Sequence, residues 1–98
     1  MAGHGDSADR RIPVEELIQF PTSFSFKAIG HHTLVFPQKA LDAARSALPS
    51  GRKVELRTRL SRKGAYISVT LTTMLESADE LRGVYAALWG LKGVITVL

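Results

Sequence analysis

Ser61-Arg62-Lys63-Gly64-Ala65-Tyr66-Ile67-Ser68-Val69-Thr70-Leu71-Thr72-Thr73-Met74-Leu75 is the stretch that decides the fold. From Tyr66 onward the residues alternate. Ile67, Val69, Leu71 and Leu75 fall on one side; Tyr66, Ser68, Thr70, Thr72 and Met74 fall on the other. A period of two over this length predicts a strand with one buried face. The β-branched residues agree, because they fit a pleated, half-covered surface. Ser61-Arg62-Lys63-Gly64 before it reads as a turn, with Gly64 supplying a positive φ.

Working outward, Arg52 to Leu60 alternates in the same way. Val54, Leu56, Thr58 and Leu60 face one side and Lys53, Glu55, Arg57 and Arg59 the other, so the turn joins two strands of a hairpin. After the hairpin, Ser77-Ala78-Asp79-Glu80 has the form of a capping box. Leu81, Val84, Tyr85 and Leu88 follow at helical spacing, Trp89 packs at the last turn, and Gly90 closes the helix. Before the hairpin, a helix over Phe36 to Leu48 carries Ala40, Leu41, Ala44 and Leu48 as one stripe. Phe24 to Gly30 is a strand, with Phe24, Phe26 and Ala28 on one face and Ser25, Lys27 and Ile29 on the other. Val94 to Leu98 is a last strand, with Val94, Thr96 and Leu98 expected towards the helices and Ile95 and Val97 outward beside Ile29. Pro13-Val14-Glu15-Glu16 suits one helical turn, with Leu17 and Ile18 docking it. Residues 1–11 read as a disordered tail and residues 12–98 as one domain.

The fold class expected is α+β. Strand, helix, strand, strand, helix, strand, with one apolar face on each element, predicts a ferredoxin-like four-stranded antiparallel sheet with two helices on one face. The predicted strand order is 4-1-3-2. The predicted core is Phe24, Phe26, Leu41, Leu56, Ile67, Val69, Leu71, Leu81, Val84 and Leu88.

The chain has 98 residues, no cysteine and a net charge of +4. Disulfides, thiolate catalysis and cysteine-ligated zinc are excluded, which suits a reducing cytoplasm. No apolar run approaches membrane-helix length, so no membrane partner is expected. Between positions 52 and 63 stand six basic residues, Arg52, Lys53, Arg57, Arg59, Arg62 and Lys63, against Glu55 alone. The charge surplus is therefore localised on the second strand and its turn, where it can attract a polyanion. His31 and His32 are adjacent and point apart on most backbones, so they read as a polar loop and no metal or cofactor is expected.

The sequence resembles the YbeD-like family, a small bacterial family of uncharacterised proteins, over about Leu17 to Leu98. The motifs are Phe20-Pro21-x-x-Phe24, Phe26-Lys27 with Gly30, Ser61-x-Lys63-Gly64-x-Tyr66-x-Ser68-Val69, and Val94-x-x-Val97-Leu98. The resemblance implies a ferredoxin-like fold similar to ACT-type regulatory domains. Arg62, Ala65 and Ile95 depart from the family pattern, which has a serine, a polar residue and a basic residue there.

No Ser-His-Asp, paired-carboxylate or phosphate-loop pattern marks an enzyme. The preferred reading is a non-enzymatic regulatory or interaction module that binds a partner protein or a small ligand, with a homodimer through a sheet edge or face also allowed. The alternative is RNA binding through the basic second strand and the open sheet face, where only Tyr66 can stack a base. The candidate binding residues are Lys27, Arg57, Arg59, Lys63, Gly64, Tyr66 and Ser68. Lys27, Lys63, Gly64 and Tyr66 each have a plain structural role as strand or turn residue; their convergence on the open face and its adjacent turn is what marks a site.

Overall fold

The structure, a computed structural model, describes residues 14–98, with side chains from Glu16 onward. The tail expected over residues 1–11 lies outside the described residues. The elements are α1 (Val14–Leu17), β1 (Thr22–His31), α2 (Phe36–Ser46), β2 (Val54–Leu60), β3 (Tyr66–Leu75), α3 (Ala78–Trp89) and β4 (Val94–Val97). The sheet order is β2-β3-β1-β4 and every neighbouring pair is antiparallel. This is the expected ferredoxin-like sheet, with β1 and β3 central and β2 and β4 at the edges. The single turn α1 precedes it; Ile18 packs against the core, while Leu17 is exposed.

Phe26 and Ala28 of β1 and Ile67, Val69, Leu71 and Leu75 of β3 form the floor of the core. Phe36, Ala40, Leu41 and Ala44 of α2 and Leu81, Val84 and Leu88 of α3 cover it from one side. Phe24 is half-buried at its rim, with its ring 4.8 Å from that of Phe26 and edge-on to Tyr85. Thr73 is the polar residue in this layer, and its hydroxyl donates to the Lys53 carbonyl at 2.7 Å. A buried hydroxyl without such an acceptor would be destabilising.

The close seating of α2 depends on Gly30. A Cβ there would lie 2.6 Å from the Phe36 ring and 2.8 Å from the Gly93 carbonyl oxygen. The His31 N–H donates to that same carbonyl at 3.1 Å. At the other end, Arg52 and Glu80 form a two-toothed ion pair at 2.8 and 3.2 Å, with side chains 17% and 15% exposed. The pair ties the approach to β2 to the first turn of α3. The Arg52 hydrogen bond, followed by one from the Glu76 N–H, holds the Glu80 carboxyl below its ordinary range. The Ser77 hydroxyl caps the Glu80 N–H as the capping box requires, but Glu80 reaches back to Glu76 rather than to Ser77. The competing bond to Arg52 draws its carboxylate that way.

Three expectations are corrected. Leu56 faces the helices but is 39% exposed, because helical cover over β2 reaches Val54 and no further. The phase of β4 is reversed over its end: Val97 is buried opposite Ala28, Thr96 stands opposite Ile29 on the open face, and Leu98 pairs with Lys27. A register shift between Ile29 and Gly30 inserts Ile95 as an extra residue, so Val94 is on the core side and Ile95 exposed, both as expected. Trp89 is half exposed rather than packed. Gly90 closes α3 as expected, with φ −79, and the left-handed residue after this helix is Gly93.

Leu71→Ala should cost about 2–4 kcal/mol by lost burial and a cavity, whereas Leu56→Ala should cost about 1 kcal/mol or less; urea unfolding of both variants checks the contrast. Gly30→Ala should destabilise by about 1–3 kcal/mol through overpacking against Phe36, read the same way. A lowered carboxyl pKa gives stability that is present above the unfolded value and lost as pH falls through the folded one. The stability gap between wild type and Glu80→Gln should therefore close below the ordinary glutamate range of about 4. Urea midpoints across a pH series check this, and a constant gap would show that the ionic form of Glu80 contributes nothing.

Candidate functional site

The face of the sheet that the described residues leave uncovered is built from cross-strand rows fixed by the register. Arg57 stands opposite Thr70, Thr70 opposite Lys27, and Lys27 pairs with Leu98. The next row is Arg59, Ser68, Ile29 and Thr96. Tyr66 and His31 form the row beyond, with rings 5.7 Å apart. On the other side, Glu55 stands opposite Thr72, whose hydroxyl is 2.7 Å from that of Ser25. The strand order alone brings these residues together, because side chains two apart on each strand share a face.

The structure therefore gathers Lys27, Arg57, Arg59, Tyr66 and Ser68 on one face. Two shallow depressions adjoin there, of about 260 and 270 Å³, and both are lined by Lys27, Arg59 and Ser68. Among the described residues neither Lys27, Arg57 nor Arg59 has a carboxylate partner. Three cations so placed among hydroxyls offer donors to an anionic or carbonyl-rich group. A larger depression of about 680 Å³ lies at the C-terminal end of α2, around the Pro49 to Lys53 segment. Its charges are mixed, with Asp42 among its walls, and its Arg52 is already committed to Glu80.

Lys63 and Gly64 do not line either depression. They sit in the β2–β3 turn at the end of the face, where Gly64 has φ +77 and its N–H donates to the Ser61 carbonyl at 2.9 Å. The Gly64 carbonyl lies 3.0 Å from Nδ1 of His32, and the His32 N–H donates to the Ala65 carbonyl at 3.0 Å. The turn is thus pinned to the loop after β1. Sequence reasoning did not include His31 in the site. Its signal was available in the register, since the strand that ends at His31 meets the strand that starts at Tyr66.

Among the described residues, no helix is long and apolar enough to cross a membrane. The fold is similar to a solution structure of protein HP0495 from Helicobacter pylori, with a TM-score of 0.71 at 14% identity, covering 93% of this chain and 92% of that one. It is also similar to the ACT domain from the GTP pyrophosphokinase of Chlorobium tepidum, with a TM-score of 0.58 at 16% identity over 82% of this chain and 86% of that one. At such identities the likeness is one of fold. Sequence relatives are nearer. A UPF0250 protein of Neisseria meningitidis is 35% identical over 82 residues, covering 84% of this chain and 90% of that one. A UPF0250 protein of Shewanella halifaxensis is 32% identical over 84 residues, covering 86% and 93%. The family model described as protein of unknown function (DUF493) matches residues 15–98. The chain belongs to this DUF493 family, the bacterial UPF0250 or YbeD-like group.

Proposed function

We propose that this chain is a non-enzymatic regulatory or interaction module that binds a partner protein or a small ligand on its open sheet face. The observation that carries this reading is the convergence of Lys27, Arg57 and Arg59, without carboxylate partners among the described residues, on an uncovered face. The ACT-like fold supports it, since the similar domain in the Chlorobium protein is part of a larger enzyme. The fold alone does not decide function, and the site carries the weight.

A second reading is single-stranded RNA binding. The exposed Tyr66 ring beside His31, on the same face as Arg57 and Arg59, is the observation that favours it. One aromatic platform is fewer than the two or three stacked bases such sheets commonly hold, so we place it second.

Affinity capture from the source cell should retain a protein or an acidic small molecule on the wild-type chain. The double variant Arg57→Glu, Arg59→Glu should lose it. Single-stranded RNA should bind more weakly than micromolar at physiological salt. If it instead binds at micromolar or tighter, and replacing both arginines lowers the log–log salt slope by about two units, the RNA reading takes the place of the module.

A further inference from the structure

The free edge of β2 combines three features. The first is its backbone. The Ser61 N–H donates to the Tyr66 carbonyl at 2.9 Å. The alternation of an antiparallel ladder then turns the backbone of Glu55, Arg57 and Arg59 towards β3. The N–H and C=O groups of Leu56, Thr58 and Leu60 point away from the sheet, along an edge that no strand among the described residues occupies. The second is an apolar row. Leu56 and Leu60 are 39% and 50% exposed on the helix side, with Thr58 between them on the same face. The third is charge, with Arg57 and Arg59 on the opposite face and no carboxylate against them among the described residues.

An added strand would place its own residues directly opposite these side chains, alternating between the two faces. Those opposite Leu56 and Leu60 would be covered best by aliphatic groups. Those opposite Arg57 and Arg59 would be favoured as carboxylates. A second copy of this chain brings like charges together in each symmetric register tried. Antiparallel pairing of two β2 strands centred on Thr58 sets Arg57 against Arg59 twice, with no opposite-charge pair in exchange. Centring on Arg57 opposes two arginines beside two Glu55–Arg59 pairs, and centring on Leu56 sets Lys53 against Arg59 twice beside two Glu55–Arg57 pairs. Like charges directly opposed are destabilising.

We infer that β2 is a docking edge for an extended segment of another protein, with two acidic residues at alternate positions flanked by aliphatic ones. This rests on the reading of the chain as an interaction module and names the partner's chemistry.

The test uses the full chain, isotopically labelled, and a synthetic peptide Ser-Val-Glu-Val-Glu-Val-Ser, with a lysine-for-glutamate counterpart. With the acidic peptide, amide exchange at Leu56, Thr58 and Leu60 should slow by roughly tenfold or more. The lysine peptide should give no protection. Arg57→Glu with Arg59→Glu should weaken the acidic peptide by about two- to thirty-fold, as two cross-strand charge pairs are worth, and should admit the lysine peptide. Thr58→Pro removes one edge N–H and keeps every charge, a change that edge strands tolerate; it should abolish protection, while Thr58→Val should bind as wild type. Four results would overturn the inference: equal binding by Thr58→Pro, perturbation centred on Lys27 and Thr70 with the edge amides unprotected, no protection at millimolar peptide, or edge protection that grows with protein concentration alone. If a captured partner survives Thr58→Pro but not the arginine changes, the edge mode fails and the module stands. Capture of nothing at all removes the module reading itself.

Discussion

Gly30 is the point on which the packing of this domain turns. Its missing side chain lets the Phe36 ring lie directly on β1, which seats the start of α2 against the centre of the sheet. The Gly93 carbonyl approaches from the other side and takes the His31 N–H, which registers the approach to β4. One backbone position thus sets the spacing of a helix, a central strand and an edge strand. Interiors packed at crystal-like density leave no slack to absorb an extra methyl there.

From that seating follows the unequal cover of the sheet. α2 packs over β1, β3 and the start of β2, and α3 over β3 and β4. Two helices cannot span four twisted strands evenly, and the far half of β2 receives no cover on either face from the described residues. That half carries Arg57 and Arg59 of the basic stretch. The basic face and the uncovered edge are therefore one region seen from two directions, meeting at Arg57 and Arg59.

Most of this was legible in the sequence because it depends on period. The alternation in β3 and β1 fixed which residues point inward, and the order of elements fixed the strand neighbours. Those two together place Lys27, Arg57, Arg59, Ser68 and Tyr66 on one face. Alternation reports direction and not cover, which is why Leu56 was expected in the core although it is partly open to solvent. In β4 both phases are apolar, so the pattern Val-Ile-Thr-Val carried no preference, and the extra residue at Ile95 broke the period that would have decided it. Lys63 and Gly64 were read as the turn adjoining the face and stand there, at its end; what no pattern announced is the contact of the Gly64 carbonyl with His32.

The pairing pattern also bears on how the chain comes together in time. β2 and β3 are joined by a short turn and meet through local contacts, which form with little loss of loop entropy. β1 is made earlier, yet both of its partners, β3 and β4, follow it in the chain. During synthesis its Phe24 and Phe26 have no sheet to enter until the hairpin has been made. The central strand is thus the first to be written and among the last to be sheltered, so the hairpin serves as the template on which the older half of the chain is received.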